Sequence, residues 1–173
     1  MNETEQKVHW LDKALEVVRN ADPESVVRVE RGVDMPAIVV PRELIVEVCT
    51  ALRDDAGLRF TMLSDLTASD DLDRDPRFDV VYHLLSFDLN ARLRVKVGVP
   101  ESDCRCPSVT SVWPGANWPE REVWDMFGIR FTGHPNLERI LTPEGWEYFA
   151  LRRDFPLQGP GMVRLYEDVT DVL

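Results

Sequence analysis

The spacing of apolar side chains splits this chain into a patterned first part and an unpatterned last part. Val8, Leu11, Leu15 and Val18 recur on one face of a helical repeat and predict a helix over residues 4–20, ended by Asp22-Pro23. Val26 to Glu30 and Ile38 to Val40 predict two short strands joined by a turn near Gly32. A second helix is predicted over Pro41 to Asp54. Pro41 suits its first turn, Leu44, Ile45, Val48 and Leu52 form its apolar stripe, and Gly57 reads as the stop beyond it. Phe60 to Ala68 reads as a strand, and residues 69–77, SDDLDRDPR, as a solvated polar loop.

The clearest alternation runs over Phe78 to Phe87 and Ala91 to Val99, with Asp88-Leu89-Asn90 between them. It predicts an antiparallel hairpin with one dry face, the other face being made basic in the second strand by Arg92, Arg94 and Lys96. His83 reads as an ordinary strand residue, since no other His or Cys stands at a spacing that joins it. The order helix, two strands, helix, three strands is that of an α+β fold, two helices packed on one face of a mainly antiparallel sheet. This domain is expected to occupy residues 1–106.

After that the pattern changes. Pro107 to Trp113 reads as a short helical turn broken by Pro114-Gly115. The block from Asn117, NWPEREVWDMFGIRFTGHPNLERIL, predicts a short helix. Asn117 is its expected N-cap, Glu120 completes a capping box, Pro119 is tolerated in the first turn, and Gly128 is the stop. A turn at Thr132-Gly133-His134-Pro135 follows, then the apolar trio Leu137, Ile140 and Leu141. Residues 107–141 form this signature region. Residues 142–173, rich in Pro and Gly, read as an extended arm that binds a partner and folds poorly alone.

Composition narrows the function. The chain has 173 residues and a formal net charge of −11, which argues against nucleic acid or an anionic lipid surface as partner. No apolar run approaches a bilayer span and the polar N-terminus carries no targeting pattern, so a cytosolic location without membrane insertion is expected. Cys49 reads as a small buried hydrophobe. Cys104-Arg105-Cys106 lacks a second ligand pair, so no metal site is expected. Glycine-rich phosphate loops are absent from the sequence.

The signature helix holds the candidate chemistry. Glu120 and Glu122 stand two apart and point to nearly opposite sides, so they do not form a catalytic pair. Glu122 and Asp125 share a side, and Arg121 and Asp125 stand at an ion-pairing spacing. Such a set more often ties chain segments together than performs chemistry. An interaction module is therefore the preferred reading, with an enzyme using Glu122, Asp125 and His134 as acid and base as the alternative.

The block PSVTSVWPGANWPEREVWDMFGIRFTGHPNLERIL over 107–141 closely resembles the signature of the 30 kDa (C) subunit of the proton-pumping NADH:quinone oxidoreductase, respiratory complex I. The matching positions include Asn117, Trp118, Glu120, Arg121, Glu122, Asp125, Gly128, His134, Pro135 and Arg139, and in the closing motif Arg152, Arg153 and Asp154. Tyr148-Phe149-Ala150 departs from the family pattern before Leu151. The resemblance implies a hydrophilic peripheral-arm subunit with no catalytic residue and no cofactor of its own. The FMN, iron–sulfur clusters and quinone belong to the complex as a whole. Its implied partners are the quinone-binding large subunit and the iron–sulfur subunits, at the cytoplasmic face of the bacterial plasma membrane. A similar module in membrane-bound hydrogenases and other complex I-like dehydrogenases is the alternative assignment. Glu120, Arg121, Glu122 and Asp125 are expected to form one charge network that locks arm and partner.

Overall fold

Alternation along the chain becomes a five-stranded sheet of β1 (Arg28–Arg31), β2 (Pro36–Val40), β3 (Met62–Asp70), β4 (Phe78–Ser86) and β5 (Ala91–Val99). The computed structural model describes residues 3–24, 26, 28–32 and 35–159. The side chain of Val8 and the last part of the expected arm, 160–173, lie outside the described residues. The strand order is β1-β2-β5-β4-β3. Every pairing within this sheet is antiparallel except β2 with β5. That parallel contact arises because the β3-β4-β5 meander returns its last strand beside β2, through the long crossover that parallel strands require.

One face of the sheet is dry. Phe78, Val80, Tyr82 and Leu84 of β4 and Leu93, Val95, Val97 and Val99 of β5 are buried. They pack with Leu11, Ala14 and Val18 of α1 (Glu3–Ala21) and Ile45, Val48, Cys49 and Leu52 of α2 (Ile45–Asp54). The expected arrangement of two helices on one face of a mainly antiparallel sheet is the one observed.

Local boundaries shift for identifiable reasons. Arg42–Leu44 form a 3-10 turn, so α2 begins later than the apolar stripe suggests. Gly57 is not the helix stop. Asp55 leaves the helix in an extended conformation, its carboxylate accepts the Gly57 N–H at 2.9 Å, and the left-handed residue is Arg59. Phe60 is buried ahead of β3. β3 instead runs on to Asp70, into the expected loop, because Leu66, Ala68 and Asp70 keep facing the core and Arg77 neutralises the last of them.

Beyond the sheet, β6 (Arg105–Pro107) pairs in parallel with β7 (Arg130–Thr132). Pro107 thus ends a strand and does not open a helical turn; the turn starts at Val109, whose carbonyl accepts the N–H of both Val112 and Trp113 at 2.9 Å. Pro114–Ala116 form a 3-10 turn that runs straight into α3 (Asn117–Phe127). α3 lies along β3 and adds Val123, Met126 and Phe127 to the shared core.

Candidate functional site

The N-terminal end of α3 is fastened by a side chain that points away from its own cap. Asn117 is the first helical residue, and Ala116 precedes it without a side-chain cap. The 3-10 turn already supplies a helical entry, Ala116 N–H donating to Trp113 at 2.9 Å. The expected capping box is therefore absent. Glu120 instead accepts the Ser108 hydroxyl at 2.6 Å and the Val109 N–H at 2.7 Å. Its carboxyl is completely buried. Burial pushes its pKa up to about 7, the two donors acting in the opposite direction.

The other end of α3 buries Asp125 just as completely. One of its oxygens accepts three successive backbone N–H groups, those of Ile140, Leu141 and Thr142, at 3.0, 2.8 and 3.0 Å. The second accepts the Thr142 hydroxyl and Arg139. Burial raises the pKa of this carboxyl, but the donors outweigh it and hold the group well below the usual carboxylate range. Backbone amides in succession make a concave anion cradle, here filled by the chain's own aspartate. The apolar trio Leu137, Ile140 and Leu141 is thereby carried back over the helix.

Gly128 ends α3 in the left-handed region, φ 77°, as the sequence suggests. It also makes room: a Cβ there would stand 2.6 Å from the Phe149 ring and 2.8 Å from Arg152. The Arg152 guanidinium stacks on that ring, donates to the Phe127 carbonyl at 2.6 Å and lies over Phe78. Each of four consecutive residues then bonds to the body of the fold. The Leu151 N–H donates to Met126, Arg152 to Phe127, the Arg153 N–H to Asp70, and Asp154 pairs with Arg77 at 3.0 Å. The described part of the arm has no helix or strand, as expected, yet it is fastened to its own chain.

The sequence does not reveal Arg77 as the centre of that attachment. Its buried guanidinium holds Asp70 through two bonds of 2.7 and 2.8 Å, Glu101 at 2.7 Å, and Asp154. Its pKa is raised, first by Asp70 and then by Asp154. The partners lie up to 77 positions away, so no local spacing marks them. A charged Arg directly before an apolar strand was the available signal.

The four-residue charge network is not found as one unit. Arg121 does not pair with Asp125; it donates to the carbonyls of Glu138 and Arg139 at 2.9 and 3.2 Å and lies over the Trp118 ring. Arg139 takes the place beside Asp125, and also lies over Trp124. Glu122 is exposed while Asp125 is buried, so the two share a helical side without meeting. His134 accepts the Asn136 N–H at Nδ1, which places its proton on Nε2, 3.1 Å from the Asn117 carbonyl oxygen. Pro135 beside it is exposed. Glu122, Asp125 and His134 hence form no acid–base group. Burial raises the pKa of both Cys104 and Cys106, the latter to about 12. Among the described residues no group of His, Cys, Asp and Glu is arranged to hold a metal. α3 uses its two inner carboxylates to fasten chain segments and turns Trp118, 64% exposed, outward.

Comparison with known proteins gives a consistent family. The sequence model of "Respiratory-chain NADH dehydrogenase, 30 Kd subunit" matches residues 38–161. A Roseiflexus sp. (strain RS-1) protein, named as the C subunit of NADH-quinone oxidoreductase, is 53% identical over 150 residues, 85% of this chain and 86% of its own. A Nitrosospira multiformis protein, named as the C/D subunit of that enzyme, is 46% identical over 138 residues, 76% of this chain but 23% of its own. The solved structure described as "Nqo5 of the trypsin-resistant fragment (1-134) in P63 form" is similar at TM-score 0.56 and 35% identity, covering 72% of this chain and 99% of that one. The chain belongs to the 30 kDa subunit family of respiratory-chain NADH dehydrogenase, the family that includes the C subunits of NADH-quinone oxidoreductase.

Proposed function

We propose that the chain is a peripheral-arm subunit of a proton-translocating NADH:quinone oxidoreductase that positions its neighbours and performs no chemistry itself. The observation that carries this reading is the division of α3. Glu120 and Asp125 are fully engaged within the chain, while Trp118 and Glu122 are exposed. A rigid helix that presents an aromatic side chain beside a charged rim suits a protein interface. Leu141, Tyr148 and Leu151 on the following segment are exposed as well.

The partners in this reading are the quinone-binding large subunit and the iron–sulfur subunits, and the FMN, clusters and quinone reside on those neighbours. The relative named as a C/D subunit, a single polypeptide, supports a partner held close. No helix among the described residues is long and apolar enough to cross a membrane, in keeping with peripheral attachment at the cytoplasmic face. The names of the relatives favour NADH as donor over the hydrogenase-like alternative.

Affinity purification of the tagged full chain from its own host tests the reading. The expected result is recovery of a complex that reduces quinone with NADH, and a lone chain that binds no flavin and turns over neither substrate. Trp118→Ala combined with Glu122→Arg should lower recovery of the complex while leaving the lone chain folded. Turnover by the lone chain would overturn the proposal, and hydrogen-dependent reduction by the complex would favour the alternative.

A further inference from the structure

The helices cover one face of the sheet, and the opposite face has its own charge pattern. There β5 presents Arg92, Arg94, Lys96 and Gly98 in alternation. In register, Arg92 lies beside Leu85, Arg94 between Ala37 and His83, and Lys96 between Val39 and Val81. Alternate strand positions place these cations about 7 Å apart. Arg28 of β1, with Arg42 and Arg74 beside it, brings the cations to six, against the five carboxylates Glu30, Glu43, Asp65, Asp75 and Asp79. A chain with a net charge of −11 thus carries a locally positive face.

The charges on this face are unequally used. Glu30 bonds to Lys96 at 2.6 Å and to Arg28, and Asp79 takes Arg74 through two bonds of 2.8 and 2.9 Å. Arg92 and Arg94 have no hydrogen-bond or ion-pair partner among the described residues, and Arg94 Nε is buried without one. Arg92 is exposed. Burial first, and then the Arg94 charge, lowers the pKa of His83, with Asp65 opposing, so the imidazole adds little charge of its own near neutral pH. At one end the face sinks into an open depression of about 680 Å³ that holds Val39, Pro76 and Gly98 and both signs of charge, Arg28, Arg42, Arg74 and Lys96 against Glu43, Asp75 and Asp79. Gly98 is required there, because a Cβ would stand 2.4 Å from the Pro76 ring.

We propose that this open sheet face is a docking surface for an acidic segment of a neighbouring subunit. The proposal rests on the reading that the chain works inside a complex. The free cations at alternate positions of β5 match carboxylates at alternate positions of an extended segment, and the open depression beside them leaves room to seat it. A small anion such as phosphate fits less well. The cations spread along the strand and do not converge, and no row of free backbone donors accompanies them. A second copy of this chain is disfavoured by like-charge repulsion, since each copy carries a net charge of −11.

The test compares the free full chain with the purified complex. Arginine modification by phenylglyoxal, read by mass spectrometry at Arg92 and Arg94, should be about tenfold or more slower in the complex, the protection expected when the side chains are desolvated by a partner. Carbodiimide coupling of R92K in the complex should join that position to an Asp or Glu of another subunit. The variant R92E, at the exposed position, should keep the thermal midpoint of the free chain and lower its recovery in the complex. Equal modification rates in the two states would overturn the proposal, as would coupling only to a second copy of this chain. Failure to recover any complex would sink the functional reading itself, whereas an intact complex with Arg92 and Arg94 still reactive would sink only the docking face.

Discussion

The two ends of α3 each bury a carboxylate completely and set it in opposite states. Glu120 meets two neutral donors and no cation, and its pKa rises to about 7. Asp125, five positions on, meets three backbone amides, a hydroxyl and an arginine, and its pKa falls. Burial opposes the charged form at both sites, so the supply of donors decides the outcome. The difference has a structural meaning. Glu120 joins α3 to the 108–113 turn within the fold, and Asp125 receives the segment that leads into the arm. The firmer anchor stands where the chain would otherwise leave the domain.

The largest effect should come from breaking the stronger side of this comparison. Asp125→Ala leaves three backbone N–H groups and Arg139 without their acceptor. Removing one partner of a buried, hydrogen-bonded charge costs about 3–5 kcal/mol, so urea denaturation of the free chain should show a loss of that size. Trypsin should also cleave within 139–154 faster in this variant. A loss below about 1 kcal/mol would mean that apolar contacts, and not the cradle, hold the segment.

Titration separates the two ends by sign. The folded-state pKa of Glu120 is raised from 4.5 to about 7, so the folded protein binds the extra proton. Its stabilising contribution is full below pH 4.5 and is lost as pH rises through about 7, a decline of about 3 kcal/mol. Asp125 is lowered from 3.8, so its contribution is present above that pH and is lost on acidification below it. The stability difference between wild type and Glu120→Gln should therefore shrink toward neutral pH. The difference between wild type and Asp125→Asn should shrink only in acid. Parallel slopes for the two variants would break the contrast.

Sequence reasoning succeeds where the deciding property is local. The α+β sandwich was legible because periods of two and 3.6 residues are local properties of Val80 to Leu84 or of Ile45 to Leu52. The parallel pairing of β2 with β5 was not, since nothing in either strand names its neighbour. At α3, spacing correctly separated Glu120 from Glu122. It failed in pairing Arg121 with Asp125, because helical spacing reports shared faces and not what a distant segment offers. The amide of Thr142 reaches Asp125 from 17 positions away. Asp125 and Arg139 are both among the positions that carry the family resemblance, and the fold brings them into contact. Arg77 and Asp70 lie in a stretch that reads as solvated loop, and only the folded sheet brings Asp154 to them.

A medium effect should sharpen the role of the arm attachment. Gly128→Ala places a side chain at φ 77° and 2.6 Å from the Phe149 ring. The left-handed conformation alone costs about 1–2 kcal/mol, and displacing Phe149 loosens its stack with Arg152. Thermal unfolding should fall accordingly, and proteolysis after Arg152 and Arg153 should accelerate with little change within the sheet. Unchanged proteolysis would show that the bonds of Arg153 and Asp154 suffice to hold the segment without the stack.

The smallest expected effect tests the outward face of α3 against its inward one. Glu122 is exposed, at a helix position between the two buried acids, and makes no hydrogen bond among the described residues. Glu122→Ala should change the stability of the free chain by no more than about 0.5 kcal/mol, as surface substitutions away from special features do. A loss comparable to that of Asp125→Ala would mean that Glu122 belongs to the internal fastening, and the division of the helix into a binding side and a holding side would fail. If the free chain is unaffected and recovery of the complex still falls, the carboxylate is used by a neighbour. That combination follows from a helix whose inner acids are fully occupied by their own chain and whose outer acid is left for another.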